Sequence, residues 1–332
     1  MVVSEKAYTQ KVSLSHRKKY AQFFTPAEVA DWMTDWISGH PNLKNVLEPA
    51  FGLGVFSRLL LKKCPNVFIK GFDVDPVILE EARQGFCGMS NVHLELKDYL
   101  FADWDNKYDG IVCNPPYFKF HDYENKKALA EIKRWLKVRA NGFTNIYALF
   151  LLKAVYQLNE GGRAAFLIPS EFLNADYGRQ IKDYLIRSGT LRHVVIFDFK
   201  ETVFDDVLTT SAVLLLSKEA NVSGVRFSTI HNKNQFESLR HGITSNETML
   251  PSSVFALNAL DPDIKWRAYY QEQAGRQYKN LIPFNKVAKV VRGIATGAND
   301  YFVFNKEKAL KYGIPPEYLL PYFNAFSLLK TK

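Results

Sequence analysis

With 332 residues, 47% apolar and 14% aromatic, the chain can bury a large core, and its length predicts one big domain with a second, partial one. Apolar runs at 148–152 and 212–216 are cut by charge well before the roughly 18 residues of a membrane span, and the N-terminus lacks a signal-peptide hydrophobic stretch, so a cytoplasmic protein with no membrane partner is expected. Of the formal net charge of +9, +8 lies in residues 265–332, where 12 Lys/Arg face 4 Asp/Glu; a basic terminal segment behind a near-neutral body fits a polyanion-binding module.

The first predicted element opens at residues 22–28, where Thr25 and Glu28 form a capping box and Pro26 takes the first helical position, followed by the apolar stripe Val29, Met33, Trp36 and Ile37. The same helix start offers free amides and the Thr25 hydroxyl to a carboxylate. From Asn45 onward short β-rich runs alternate with helical stretches, the pattern of a parallel sheet covered by helices. Strands are expected at 45–50, 67–75, 92–98, 108–114, 163–169, 191–199 and 210–217, with helices starting near Gly54, Pro76, Asn145 and Asp176. Residues 200–209 leave no room for a helical crossover, so the last two of these seven strands should pair antiparallel as a hairpin-like unit at one edge. Residues 241–277 read as polar and irregular, and Pro283, the turn-rich 292–300 and the aromatic run 301–304 read as a different texture. The expected domains are therefore 1–280 and 281–332.

The first strand runs through Glu48-Pro49-Ala50-Phe51 into a turn bearing Gly52 and Gly54, and ligands of open α/β sheets sit at such strand ends. Glycines there allow positive backbone dihedrals and close approach of a ligand. The acidic Glu48 would repel a pyrophosphate and suits a cationic ligand, which points away from a dinucleotide and toward a sulfonium that also carries an amino group. Asp73 ends the second strand about 20 residues after the glycine turn, the spacing at which a carboxylate accepts both ribose hydroxyls. Asp75 before Pro76 reads as a helix cap. Asp98, ending the third strand, is placed to accept an adenine amino group. Cys64, Cys87 and Cys113 are odd in number and lack metal-ligand spacing, so they are read as core thiols, with no disulfide and no metal.

The most specific signal is Asn114-Pro115-Pro116-Tyr117 at the end of the fourth strand. Two prolines stop the ladder and fix the backbone, so the Asn114 side chain and the Pro115 carbonyl can both accept hydrogen bonds from one amino group. An adenine amine is a poor nucleophile because its lone pair is delocalised into the ring. Two acceptors on its hydrogens favour a pyramidal nitrogen, and in-line transfer then proceeds by positioning and electrostatics, without metal or covalent intermediate. Tyr117 supplies a face on which a flipped-out base can stack. Cytosine ring-carbon methylation would need a cysteine nucleophile in a Pro-Cys pair, whereas this chain has Cys64-Pro65, in the wrong region and order. After the tetrapeptide Lys119, Lys126, Lys127, Lys133, Arg134, Lys137 and Arg139 outnumber Asp122, Glu124 and Glu131 amid Phe118, Phe120, Tyr123 and Trp135, a pattern that fits a nucleic-acid-facing segment and equally a solvated helix face.

Taken in order, Phe23 to Pro26, Glu48-Pro49-Ala50-Phe51-Gly52, Asp73, Asp98 and Asn114 to Tyr117 resemble the gamma-class adenine-specific DNA methyltransferases, the TaqI/Eco57I-like group of restriction-modification systems, over about residues 20 to 320. The resemblance implies a Rossmann-like S-adenosylmethionine-dependent methyltransferase fold with an antiparallel edge hairpin, followed by the start of a recognition domain. It implies cofactor contacts from Thr25, Glu48, Pro49, Ala50, Phe51, Asp73, Asp98 and Pro116, and capture of a flipped adenine by Asn114, Pro115 and Tyr117, with Tyr177 as a second stacking aromatic. Residues 292–302 resemble the opening of an Eco57I-type recognition domain, whose full length exceeds the roughly 50 residues after Pro283, so a shortened enzyme or one part of a split protein is expected. Implied partners are double-stranded DNA and a cognate restriction endonuclease or specificity subunit. No nuclease-like acid and lysine constellation is found, so cleavage would need another protein. The alternatives are a modification subunit dependent on a separate specificity protein, and an Asn-Pro-Pro-Tyr methyltransferase acting on protein glutamine or ribosomal RNA guanine. Enzymes of the latter kind lack the Phe-x-Thr-Pro element in front and the Gly-Ile-Ala-Thr-Gly segment behind.

Overall fold

The structure, a computed structural model, describes residues 4–117, 125–138, 145–198, 211–220, 224–232, 235–236, 238–240, 252–271, 287–288, 301 and 303–319. Two compact units are present, residues 1–276 and 277–332.

The first unit opens with two short helices, α1 (Glu5–Lys11) and α2 (Leu14–Lys19), each started by a serine whose hydroxyl accepts from an amide of the first turn. Helix α3 (Ala27–Ser38) follows, and then strand and helix alternate: β1 (Asn45–Glu48), α4 (Val55–Lys63), β2 (Phe68–Asp73), α5 (Pro76–Gly85), β3 (Val92–Leu96), β4 (Tyr108–Cys113), α6 (Asn125–Leu136), α7 (Ile146–Gln157), β5 (Leu158–Pro169), α8 (Gly178–Arg187), β6 (Leu191–Phe197), β7 (Ser211–Ser217), β8 (Gly224–Ile230) and β9 (Ser252–Ala256). The expected helix starts agree to within two residues with α4, α5, α7 and α8.

Among the described residues nine strands form one sheet in the order β3-β2-β1-β4-β5-β7-β6-β8-β9. Pairs β1–β2, β2–β3, β1–β4, β4–β5 and β6–β8 are parallel, while β7 runs antiparallel to both β5 and β6. The chain builds outward from β1 to β3 and then returns to lay β4 on the other side of β1, which creates a topological switch point between β1 and β4. The register sets Glu48 beside Gly71 and Asp73 beside Leu96, so the functional ends of β1 and β2 come out at one edge of the layer.

The expected seven-strand sheet is corrected to nine. The antiparallel pairing of β6 with β7 holds, but the pair lies inside the sheet, because β8 and β9 extend it by a parallel and then an antiparallel strand. Strand β9 falls in the stretch read as irregular. It is an edge strand with four of its five residues exposed, so it carries no alternation of apolar and polar residues. Of the residues and segments singled out in the sequence, 118–124, Arg139, 199–210, Pro283, 292–300 and Phe302 lie outside the described residues.

The core has two layers. Strands β6 and β7 are buried at every residue, and α7 is buried along nearly its whole length against one face of the sheet. Helices α3, α4 and α5 cover the other face. Cys113 is buried as expected, Cys64 is half-buried, and Cys87 is exposed, which corrects its reading as a core thiol. Among the described residues no helix is long and apolar enough to cross a membrane. In the second unit a short helix spans Lys306–Lys311, with the Asn305 side chain accepting from the Lys308 amide at 2.8 Å.

Candidate active site

A pocket lies at the C-terminal ends of β1, β2 and β4. Its walls come from the segment at residues 20–25, the glycine turn after β1, Asp73, Tyr99, Asn114 and Pro116 just after β4, and Phe150 on α7. The glycine turn is built as its sequence requires. Gly52 and Gly54 have φ of +53° and +74°, and a Cβ on Gly54 would stand 2.5 Å from the Phe51 ring. Gly71, opposite on β2, leaves the space into which the same ring packs.

Glu48 is 1% exposed at the end of β1. Its Oε2 accepts from the Ser57 amide at 3.0 Å and from the Ser57 hydroxyl, so the first turn of α4 holds one carboxyl oxygen in place. Burial pushes its pKa up to about 8 against the lowering pull of Ser57 and Arg58, with Asp73 adding to the rise. Asp73 is anchored by two amides, Oδ2 accepting from Gly52 at 2.8 Å and Oδ1 from Asp75 at 2.9 Å. Its pKa is raised to about 6, burial outweighing those amide bonds. A buried and a half-buried carboxyl poised above their usual range at a pocket wall gain most from a ligand that brings a positive charge or hydroxyl donors.

Asn114 sits where β4 ends. Its Nδ2 donates to the Phe23 carbonyl at 2.8 Å and to Thr25 Oγ1 at 3.1 Å. A carbonyl can only accept, so this contact fixes which way the amide faces, and Oδ1 is left as the acceptor. Oδ1 takes the Tyr117 hydroxyl at 2.6 Å, and the same hydroxyl lies 3.0 Å from the Leu167 carbonyl. Thr25 therefore serves Asn114. The expected capping box is corrected: α3 has Pro26 at its N-cap with no side-chain cap bond. Phe23 also stacks on Tyr117, with ring centroids 5.9 Å apart and planes 17° apart.

Of the expected cofactor residues, Thr25, Glu48, Pro49, Ala50, Phe51, Asp73 and Pro116 line the pocket. Asp98 does not, although its neighbours Lys97 and Tyr99 do; its Oδ1 caps the short 3₁₀ turn Tyr99–Phe101 by accepting from Leu100 at 2.9 Å. Pro115 is buried beside Asn114. Tyr177 sits at the start of α8, where its hydroxyl lies 2.7 Å from Glu171 and 2.7 Å from the Tyr147 hydroxyl. Tyr147 in turn meets Tyr117 edge-on at 6.3 Å, so it links the two tyrosines expected to hold the base, a role the sequence reading missed. After the tetrapeptide, α6 exposes Lys126, Lys127, Lys133 and Arg134 and turns Ala128 and Ile132 into the core, while its Trp135 stacks on Trp104.

The N-terminal segment was also missed. Asp75, fully buried, caps α5 as expected by accepting from Val77 at 2.9 Å, and it also takes His16 Nε2 at 2.7 Å and Gln22 Nε2 at 2.5 Å. Glu5 pairs with Arg58, and Tyr8 packs among Leu53, Ile78 and Phe24. These ties hold residues 4–22 along the pocket, where the buried Gln22 Oε1 is without a hydrogen-bond partner. That acceptor, the two carboxyls and the aromatic walls fit an adenosyl ligand carrying an amino group.

Residues 67–204 match the family model described as Eco57I restriction-modification methylase. The chain is 51% identical over 318 residues to the Type II methyltransferase M.AccI of Acinetobacter calcoaceticus, an alignment covering 96% of this chain and 59% of the relative. It is 24% identical over 227 residues to the Type II methyltransferase M.HincII of Haemophilus influenzae, covering 68% and 42%. The chain thus spans about half the length of the curated relatives it matches. Among solved structures, the methyltransferase subunit of a type I restriction-modification system from Streptococcus thermophilus superposes with a TM-score of 0.62 at 19% identity, over 71% of this chain and 56% of that one. A class I S-adenosylmethionine-dependent methyltransferase from Listeria monocytogenes gives 0.58 at 15%, over 72% and 75%. The fold is that of the S-adenosylmethionine-dependent methyltransferases, and the chain is similar to the Eco57I-like restriction-modification methylases, by the family match at residues 67–204 and by its 51% identity to M.AccI.

Proposed function

We propose that this chain carries the catalytic part of a DNA methyltransferase that transfers a methyl group from S-adenosylmethionine to the exocyclic amino group of a flipped-out adenine, as the modification arm of a cytoplasmic restriction-modification system. The observation that carries the reading is the Asn114 amide, fixed by the Phe23 carbonyl so that its oxygen faces away as an acceptor. The names of the relatives, Type II methyltransferases, support the setting.

When bound, S-adenosylmethionine supplies an activated methyl on a sulfonium. Glu48 would hold its amino group and Asp73 its ribose hydroxyls, with Thr25, Pro49, Ala50, Phe51, Asp98 and Pro116 completing the contacts. Asn114 Oδ1 and the Pro115 carbonyl accept from the target amine and orient its lone pair. The Tyr117 hydroxyl has a single proton and two acceptors within reach, Asn114 Oδ1 and the Leu167 carbonyl. Turning that proton to Leu167 frees Oδ1 for the substrate. Burial raises the Tyr117 pKa well above its ordinary value, so the hydroxyl remains a neutral donor throughout. Tyr117 and Tyr177 supply the rings that hold the base outside the duplex. The partners in this reading are double-stranded DNA and a cognate endonuclease or specificity subunit.

The test is methyl transfer from labelled S-adenosylmethionine to unmethylated DNA, with digestion to nucleosides. Label is expected in 6-methyladenine, falling by roughly 10²–10³-fold in Asn114→Ala. Label in cytosine, RNA or protein, or full activity in the variant, would sink the reading.

A further inference from the structure

Lys153, which takes no part in the reaction described above, is fully buried behind one wall of the pocket. It lies on α7 three residues after Phe150, a pocket-lining ring, and four before Gln157, so Lys153 and Gln157 share a helix face. The Lys153 ammonium donates to the carbonyls of Tyr99 and Ala102, which bracket the 3₁₀ turn after Asp98. It also sits 4.1 Å from the centroid of the Tyr99 ring and 4.3 Å from that of Trp104, a placement that favours a cation.

Gln157 ties down the rest of the turn. Its Oε1 accepts from the Tyr99 hydroxyl at 2.6 Å, and its Nε2 donates to the carbonyls of Asp103 and Asn106. Asp103 has φ of +64°, a conformation that a non-glycine residue keeps only where its surroundings over-determine it. Burial pulls the Lys153 pKa down to about 7, opposed by the carboxylates of Asp103, Asp98 and Glu131. A buried lysine is disfavoured unless its donors are satisfied, and here they are satisfied by the backbone of the segment that carries Asp98 and Tyr99.

We propose that Lys153, supported by Gln157, is a positioning residue for cofactor selectivity: it fixes the turn at residues 98–103 so that the pocket distinguishes an adenine from a purine lacking the 6-amino group. The proposal rests on the reading of Asp98 as the partner of the cofactor's adenine amino group.

The experiment is calorimetric titration of the chain with S-adenosylhomocysteine and with its inosine counterpart, in which an oxo group replaces the amine. The wild type should prefer the adenine ligand by tenfold or more. Lys153→Met should lose at least tenfold in affinity for the adenine ligand and less than threefold for the inosine ligand, so that the preference collapses. Should Lys153→Met fail to fold, Tyr99→Phe, which keeps the ring and removes only the bond to Gln157, should show the same one-sided loss at about threefold. Equal losses for both ligands, the result a merely structural lysine would give, overturn the proposal, as does an adenine preference left at its wild-type value in Lys153→Met or, where that variant does not fold, in Tyr99→Phe. A wild type that binds both ligands equally overturns the adenine-side reading and the proposal with it, and a wild type that binds neither overturns the cofactor reading as a whole.

Discussion

Replacing Glu48 by Gln tests whether the buried carboxyl is held for a cationic group. The folded-state pKa of about 8 lies above the ordinary 4.5, so the fold favours the protonated form. The resulting stability is fully present below pH 4.5 and is lost as pH rises through 8. At pH 7 the ligand-free protein has given up on the order of 3 kcal/mol relative to acid. The amide introduced by Glu48→Gln cannot ionise and can still accept from Ser57, so the ligand-free variant should melt at a temperature that this group no longer makes pH-dependent between 5 and 8. Binding should move the other way. An ammonium on the ligand needs ionised Glu48, which at pH 7 is about nine-tenths protonated, so the wild type should release close to one proton on binding. Asp73, raised only to about 6, is mostly ionised at pH 7 and contributes little. The assay is titration with S-adenosylmethionine at pH 7 in phosphate and in Tris, whose ionisation enthalpies differ. Wild-type heats should depend on the buffer, whereas the Glu48→Gln variant should show buffer-independent heats and an affinity lower by about 1.5–3 kcal/mol, the worth of a charge-assisted hydrogen bond. Buffer-independent heats in the wild type, or equal affinity in the variant, would refute the reasoning.

Gly54→Ala combines a left-handed backbone with a Cβ 2.5 Å from Phe51 and should cost about 2–5 kcal/mol; a melting temperature within a degree of wild type would contradict this. Asp75→Ala removes a helix cap, worth about 1 kcal/mol, and releases His16 and Gln22. Limited trypsin digestion should then cut faster at Arg17, Lys18 and Lys19, and an unchanged cleavage rate would mean that other contacts hold the segment. Tyr117→Phe keeps the stacking ring and should reduce kcat by less than tenfold, whereas Tyr117→Ala should lose about 1–3 kcal/mol of base stacking. Fluorescence of DNA with 2-aminopurine at the target position reads the difference, which should be absent if the ring does not meet the base.

What the sequence made legible was local. The glycine turn, the Asp75 cap and the Asn-Pro-Pro-Tyr strand end each lie within a few consecutive residues, and their geometry follows from the permissiveness of glycine and the rigidity of proline. Strand β8, with Val225, Phe227 and Ile230 buried, carried part of an alternating pattern and was still passed over. Strand β9 is exposed at the sheet edge and offered no pattern at all. Helices α1 and α2 are short, and their hold on the pocket comes from Arg58, 53 residues from Glu5, and from Asp75, 59 residues from His16, so no window along the chain contains both partners.

Lys153 and Gln157 illustrate the harder case. In the run Leu149-Phe150-Leu151-Leu152-Lys153-Ala154-Val155 a lone lysine reads as a charge interrupting an apolar helix, and the natural inference sends it to solvent. It is nonetheless buried, because the turn after β3 presents two carbonyls and two aromatic faces to the same point. Only the fold brings residues 99–104 against α7, so the partners that make the burial tolerable are invisible from the helix's own sequence. The same reasoning applies to Thr25. Its spacing to Glu28 satisfied a local rule for a helix cap, but a stronger claim came from Asn114, 89 residues away. A hydroxyl with two possible uses here goes to the half-buried amide that has a donor to satisfy, and the departure from the local rule falls on the side chain expected to grip the substrate.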